Sequence, residues 1–245
     1  MPLVTEEAIV LTRYPFRERS AVVVFLCRGR GLVRAIARQR HGRKGAGVAL
    51  EPLARVRVSL FLSPRRELAT VGEVVLEHSA LNLAARPRAW AAGLVAAELA
   101  LELCPPGTVQ EPFFRLLERT VFWLERGIEP QLVVHYVVLW AAKLAGVLPD
   151  VACCGVGGEP LASGPAAFVE GAGFCCEKHG SGGTELALGS RRFLAAAVRL
   201  PLDKIAAFPG DELLPLLAAL VQGFLEKPLR ALTVYQKLAA TATAC

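Results

Sequence analysis

The sequence lacks any apolar run long enough to cross a bilayer. Its longest stretches free of Asp, Glu, Lys and Arg, residues 130–142 and 213–225, hold 13 residues each. A spanning helix needs roughly 20, so both read as buried helices. The opening MPLVTEEAIV has no basic segment leading into an apolar one, and no export signal is expected from it. Catalytic signatures are missing as well. There is no Gly-x-x-x-x-Gly-Lys-Ser/Thr to cradle phosphates, no Gly-x-Ser-x-Gly elbow and no His-Glu-x-x-His pair. Gly42-Arg43-Lys44-Gly45 imitates the first of these without its hydroxyl residue or its glycine spacing. No paired carboxylates stand in a recognisable catalytic setting. These absences argue against a nucleotide hydrolase, a serine hydrolase and a zinc enzyme. Fixed-period repeats and low-complexity tracts are also lacking. With 53% hydrophobic and 20% charged residues, the chain is not disordered, and 245 residues allow one large domain or two ordinary ones.

Carboxylates are absent from one stretch in particular. Residues 28–44, RGRGLVRAIARQRHGRK, carry seven basic side chains, six of them arginine. Arginine presents a rigid fork that matches phosphate bidentately, so an acid-free arginine run points to a polyanion. The bland alternative is a basic hairpin solvated for solubility. Within the run, LVRAIAR alternates as a strand does. Arg34, Ile36 and Arg38 would share one face, and Val33, Ala35 and Ala37 the other. The net charge of +6 is concentrated here. Residues 1–80 hold 14 Lys and Arg against 7 Asp and Glu, and the remainder 14 against 15. That asymmetry marks a local binding surface.

The first 80 residues read as strands at 8–11, 21–26, 32–38, 54–61 and 69–76, with a turn at 63–66. In the fourth, Val56, Val58 and Leu60 alternate with Arg55, Arg57 and Ser59, giving one core face and one basic face. Five short strands with basic outer faces suit an oligonucleotide-binding (OB) barrel, although an SH3-like barrel would leave the same trace. Aromatics are scarce on these strands, and Phe25 and Phe61 read as core, so phosphate tracking is expected to outweigh base stacking. After His78 helical periodicity takes over, at 88–103, 111–125, 131–145, 190–200, 212–225 and 229–240. The aromatic stripes there are helix core, and His135 reads as a packed histidine. The expected organisation is α+β, with an OB-type barrel over 1–79 and a helical domain over 80–245. A cysteine-rich, zinc-finger-like insert spans 147–189.

Seven cysteines, an odd number, with Cys153-Cys154 and Cys175-Cys176 adjacent, suggest a reducing cytoplasm. Thiolate and imidazole are natural ligands of tetrahedral structural zinc, which usually come as pairs separated by two residues. The insert has one such pair, Cys176-x-x-His179. Neighbouring residues seldom turn both sulfurs onto one ion, so a closed site would use Cys154, Cys176 and His179 plus Cys153 or Cys175. Buried remnant cysteines, or a labile vicinal disulfide, are the alternatives.

In order along the chain, several short motifs resemble the RecO family of bacterial DNA repair and recombination mediators. Glu7-Ala8-Ile9-Val10-Leu11 is followed by Arg-Glu-Arg-Ser at 17–20, then by Gly31, Ala35, Ala37 and Arg38. The second half supplies Lys143-Leu144-Ala145-Gly146-Val147-Leu148-Pro149, a Cys-Gly pair, Gly173-Phe174 before Cys176, and Phe224-Leu225-Glu226-Lys227-Pro228-Leu229-Arg230. The departure is in the zinc knuckles. Family members with zinc carry Cys-x-x-Cys twice; here the second is Cys176-x-x-His179 and the first keeps only Cys154 in register.

The resemblance implies a non-enzymatic protein that binds single- and double-stranded DNA and anneals complementary strands. With RecR it would help load RecA onto DNA coated by single-stranded-DNA-binding protein, whose acidic tail it would also contact. Basic side chains that release counterions lower the repulsion between two polyanions without reading sequence. Arg34 and Arg38 are the expected primary contacts, with Arg30, Arg40, Arg43 and Lys44 around the loop. Arg55 and Arg57 would widen the patch. Basic residues near apolar stripes that could rim a site for the tail are Arg115, Arg119, Lys143, Arg191 and Arg192. An OB-fold protein serving RNA or a polymerase is the alternative, and surface aromatics on the barrel face would favour it.

Overall fold

A computed structural model describes residues 3–16, 20–38, 50–62, 67–161 and 164–243, the side chains of 242 and 243 excepted. Contacts divide the chain into two compact units, Met1–Pro130 with Leu229–Cys245, and Gln131–Pro228. The change from strand to helix near residue 79 therefore lies inside the first unit.

In the first unit, β1 (Leu3–Pro15), β2 (Ser20–Cys27), β3 (Gly31–Arg38), β4 (Arg55–Phe61) and β5 (Ala69–His78) close a barrel in the order β1-β2-β3-β5-β4. The strand β1 is long enough to serve two neighbours. It pairs antiparallel with β4 through Leu3 to Ile9 and with β2 through Ala8 to Pro15, the register shifting between Val10 and Thr12. The parallel β3–β5 pair completes the ring. This order and closure fit the OB-type fold. Strand alternation fills the interior with Val10, Val23, Phe25, Ala35, Val56, Val58 and Leu60. Gly31, at φ +66°, is required by close approach: a Cβ there would sit 1.9 Å from the carbonyl oxygen of Thr108.

Outside the barrel, α1 (Pro87–Leu103) and α2 (Glu111–Glu125) each carry proline in the first turn, where a missing N–H costs nothing. The helix α1 packs on β1, β2 and α2. The last helix of the chain packs against it too: the Glu98 carboxylate on α1 accepts hydrogen bonds from the backbone N–H groups of Arg230 and Ala231 at 2.8 and 2.7 Å. A carboxylate suits the exposed N–H groups and positive end of a helix.

The second unit holds α3 (Pro130–Leu144), a small sheet of β6 (Ala166–Val169), β7 (Gly173–Cys176) and β8 (Thr184–Glu185), then α4 (Leu188–Ala197) and α5 (Leu213–Leu225). Tyr136 Oη donates to Leu200 O at 3.1 Å and Trp140 Nε1 to Ala197 O at 3.0 Å, fastening α3 to the end of α4. The final helix, α6 (Arg230–Thr243), returns to the first unit. No helix among the described residues is long and apolar enough to cross a membrane.

Candidate nucleic-acid interface and metal centre

On β3 the alternation holds. Arg34 and Arg38 are exposed, Ile36 is half-buried beside them, and Ala35 and Ala37 point into the core. Among the described residues neither arginine makes an ion pair. The other described arginines of the expected patch are engaged. Arg30 Nε donates to Glu6 at 3.0 Å, and Arg57 Nη2 lies 2.9 Å from Glu77. Arg55 lies 2.9 Å from Glu118 and 3.6 Å from Glu77. Arg40, Arg43 and Lys44, with the glycine-rich residues 41–47, fall outside the described residues. So do Arg17, Glu18 and Arg19 and the turn at 63–66. At the head of the basic run, Arg28 reaches Glu118 at 2.8 Å and Glu111 at 3.3 Å, with its guanidinium 4.4 Å above the centre of the Phe114 ring. Paired arginines hold much of their field within the fold, which leaves Arg34 and Arg38 as the described arginines of the expected patch that make no ion pair.

One aromatic expectation is corrected. Phe25 is core, but Phe61 faces outward from β4 and is 37% exposed. Tyr14, which the short first strand of the sequence reading left out, lies on β1 and is 50% exposed.

Of the residues considered for an acidic tail, Arg115 and Arg119 line a pocket of about 420 Å³ beside Phe122 and Leu53 in the first unit. Arg191 and Arg192, with Arg199, line one of about 440 Å³ over Phe174, Leu186 and Leu194 in the second. Arg191 also donates to Gly164 O. Lys143 lines neither; its Nζ donates to Val198 O at 2.8 Å.

The cysteine insert folds as two turns. Residues 152–161 form a narrow hairpin: Cys154 N donates to Glu159 O at 2.7 Å, Leu161 N to Ala152 O at 2.8 Å, and Cys153 bridges Pro160. Opposed residues of a hairpin share a face and successive residues alternate. Cys154 and Glu159 therefore point together, and Cys153 points away. The second cysteine pair splits in the same manner on β7, where Cys175 is buried and Cys176 faces the turn that ends at His179. Gly155 joins the two turns, its N–H donating to Phe174 O at 2.8 Å. A Cβ there would sit 1.9 Å from Ala172 O.

The result is a cluster of Cys154, Glu159, Cys176 and His179, whose ligand atoms all lie within 4.8 Å of one another. Two bonds of 2.0–2.3 Å at a tetrahedral angle put neighbouring zinc ligands about 3.3–3.8 Å apart. Here His179 Nδ1 is 3.5 Å from Cys154 Sγ, 3.4 Å from Cys176 Sγ and 3.8 Å from Glu159 Oε2. Backbone N–H groups, of Gly157 first and then Cys176, bond the Cys154 sulfur and lower its pKa to about 6, so it favours the thiolate that a metal takes. Burial instead pushes the Cys175 thiol up. Of the five residues expected from the sequence, three are brought together. Cys153 faces away and Cys175 is buried with its thiol beside the Cys154 sulfur, so neither belongs to that group, and Glu159 enters it. All six described cysteines are free thiols.

Comparison with known proteins bears on both halves of the chain. The family model described as Recombination protein O N terminal matches residues 1–80, and the one described as Recombination protein O C terminal matches 85–233. A DNA repair protein RecO of Koribacter versatilis (strain Ellin345) is 33% identical over 242 residues, which is 95% of this chain and 98% of that protein. One of Symbiobacterium thermophilum is 30% identical over 198 residues, 78% of each chain. One of Thermodesulfovibrio yellowstonii is 25% identical over 200 residues, 81% of this chain and 75% of the other. Matched by both family models and by one relative along nearly its whole length, the chain belongs to the RecO family.

Proposed function

We propose that this chain is a DNA-binding mediator of recombinational repair that acts by holding strands together and catalyses no bond change. In this reading it binds single- and double-stranded DNA and anneals complementary strands. With RecR it helps load RecA onto DNA coated by single-stranded-DNA-binding protein, and it works in the cytoplasm at the nucleoid. The observation that carries the reading is the pair Arg34 and Arg38, exposed on an OB-type barrel strand and without an ion-pair partner among the described residues. Two strands repel as polyanions, and a surface that replaces their counterions lowers that repulsion with no need for nucleotide. The pocket of the second unit, with Arg191, Arg192 and Arg199 and no carboxylate in its lining, offers an acidic, apolar-ended tail both a floor and a charge partner, whereas Glu118 and Glu125 line the one beside Arg115.

Cys154, Cys176, His179 and Glu159 are the residues that would hold one structural zinc ion. Its contribution would be to cross-link the hairpin at 152–161 to the turn after β7, a structural part with no role in strand exchange.

The test is annealing of complementary strands without nucleotide, combined with a salt titration of single-strand affinity. Arg34→Gln with Arg38→Gln should flatten the slope of log affinity against log salt by about 1.4, two contacts at roughly 0.7 each. It should slow annealing as well. An unchanged slope removes these residues from the site, and a strict requirement for ATP overturns the mediator reading.

A further inference from the structure

The outer face of the barrel carries an unassigned apolar row. In register across the sheet, Tyr14 on β1 opposes Val22 on β2, and Val22 opposes Ile36 on β3. The row continues through Thr70 on β5 to Phe61 on β4, and Phe61 opposes Leu3. Outward residues of a strand normally meet water or a neighbouring element. Val24 and Leu26, further along β2 toward Cys27, are buried, but Tyr14 is half exposed and Val22 and Ile36 are only partly covered. One exposed tyrosine needs no explanation. A tyrosine in register with two aliphatic neighbours, on the strands beside two arginines that make no ion pair among the described residues, is a different surface.

Arg34 and Arg38 stand two residues to either side of Ile36 on β3, about 13 Å apart at the usual strand rise. Neighbouring strands are about 4.8 Å apart, so Tyr14 lies roughly 10 Å across the sheet from Ile36. A backbone following the arginines would lay its bases over Val22 and Tyr14. Tyrosine gives a flat, amphipathic ring with only two side-chain torsions to fix, and every base has a π-face to meet it. Base pairs hide those faces within the duplex stack. Only single strands can use the ring, whereas phosphates of either form reach the arginines.

We infer that Tyr14 is a base-stacking residue for single-stranded DNA, set on a ledge of Val22 and Ile36 between Arg34 and Arg38. The inference rests on the DNA-binding reading and adds its source of strand preference. Stacking on this face is sequence-tolerant, as annealing of arbitrary complements requires.

Binding of an oligo-dT strand and of a blunt duplex of equal length, each across a salt series, tests it. Tyr14→Ala should bind oligo-dT between about fivefold and a hundredfold more weakly. Its duplex affinity and salt slope should match the unsubstituted chain, and Tyr14→Phe should restore oligo-dT binding. The ring is half exposed, so the substitutions leave the barrel folded, which a thermal melt verifies. Oligo-dT affinity within twofold of normal for Tyr14→Ala, or equal loss on both substrates, overturns the inference. If Arg34→Gln with Arg38→Gln flattens the slope while Tyr14→Ala changes nothing, the stacking role alone falls. If the unsubstituted chain binds neither substrate, the DNA-binding reading falls with it.

Discussion

His135 is fully buried in α3, with Nδ1 2.7 Å from the Gln131 carbonyl and its ring edge-on to Phe193. Nδ1 must then carry the proton, and Nε2 has no partner among the described residues. Burial holds its pKa below the ordinary 6.5, with the Gln131 hydrogen bond and the charges of Asp211 and Glu212 opposing. The unfolded chain therefore binds a proton that the folded chain refuses. Stability is fully present above pH 6.5 and falls as the pH drops below it, by up to about 1.4 kcal/mol per unit. Glu212 has a separate window: although burial opposes it, hydrogen bonds from Ser190 and the Ala187 N–H hold it below its ordinary 4.5. Melting His135→Gln between pH 7.5 and 5 should show a flatter profile than the unsubstituted chain; an equal slope would assign the acid sensitivity elsewhere. At this scale a packed histidine was legible from its place in a helical stripe, and so were the outward Arg34 and Arg38 from alternation. The pairing of Arg30, Arg55 and Arg57 was not, because Glu6, Glu77 and Glu118 meet them only through strand register and helix docking. Tyr14 was missed because β1 continues four residues beyond the strand read from its apolar run.

The hairpin at 152–161 shows what an element adds to a motif. Cys176-x-x-His179 could be read directly, since the turn that joins the two residues is local. The partner turn could not. Four residues separate Cys154 from Glu159, and only the backbone pairing that opposes them puts thiolate and carboxylate on one face. The same alternation predicts a sharp division among four substitutions. Cys153→Ser should keep the zinc content of the unsubstituted chain because its sulfur faces away from the cluster, and Cys175→Ser should keep it too because burial holds that thiol in its protonated form beside Cys154. Cys154→Ser should abolish stoichiometric zinc. Glu159→Ala should retain zinc but release it faster to a chelator, because the carboxylate is the most exposed of the four ligands. Metal analysis with chelator kinetics reads all four. Loss of zinc in Cys153→Ser with retention in Cys154→Ser would reverse the assignment, and a metal-free unsubstituted chain would make the cluster a set of hydrogen-bonded side chains.

At the scale of the whole molecule, the chain leaves its first unit at residue 130 and returns at 229. Composition could show that basic charge collects in the first 80 residues, but not this return, which depends on docking between helices more than a hundred residues apart. The returning segment brings Leu229, Leu232 and Tyr235 into full burial, and Glu98 on α1 receives the first N–H groups of α6. Burying each such side chain is worth roughly 1.5–3 kcal/mol, so their sum is comparable with the 5–15 kcal/mol that holds a typical domain together. Ending the chain at residue 228 would also leave the Glu98 carboxylate without its two donors. The truncated protein should therefore lose amide-exchange protection in α1 and the barrel strands, and with it DNA affinity. Residues 131–228 should keep their protection and zinc content, because their contacts are made among themselves. Loss confined to 131–228, with the barrel unchanged, would show that α6 stabilises the other unit. The outcome also bears on the DNA site, since Arg34, Arg38 and Tyr14 depend on a strand register that the barrel alone must hold if α6 contributes nothing.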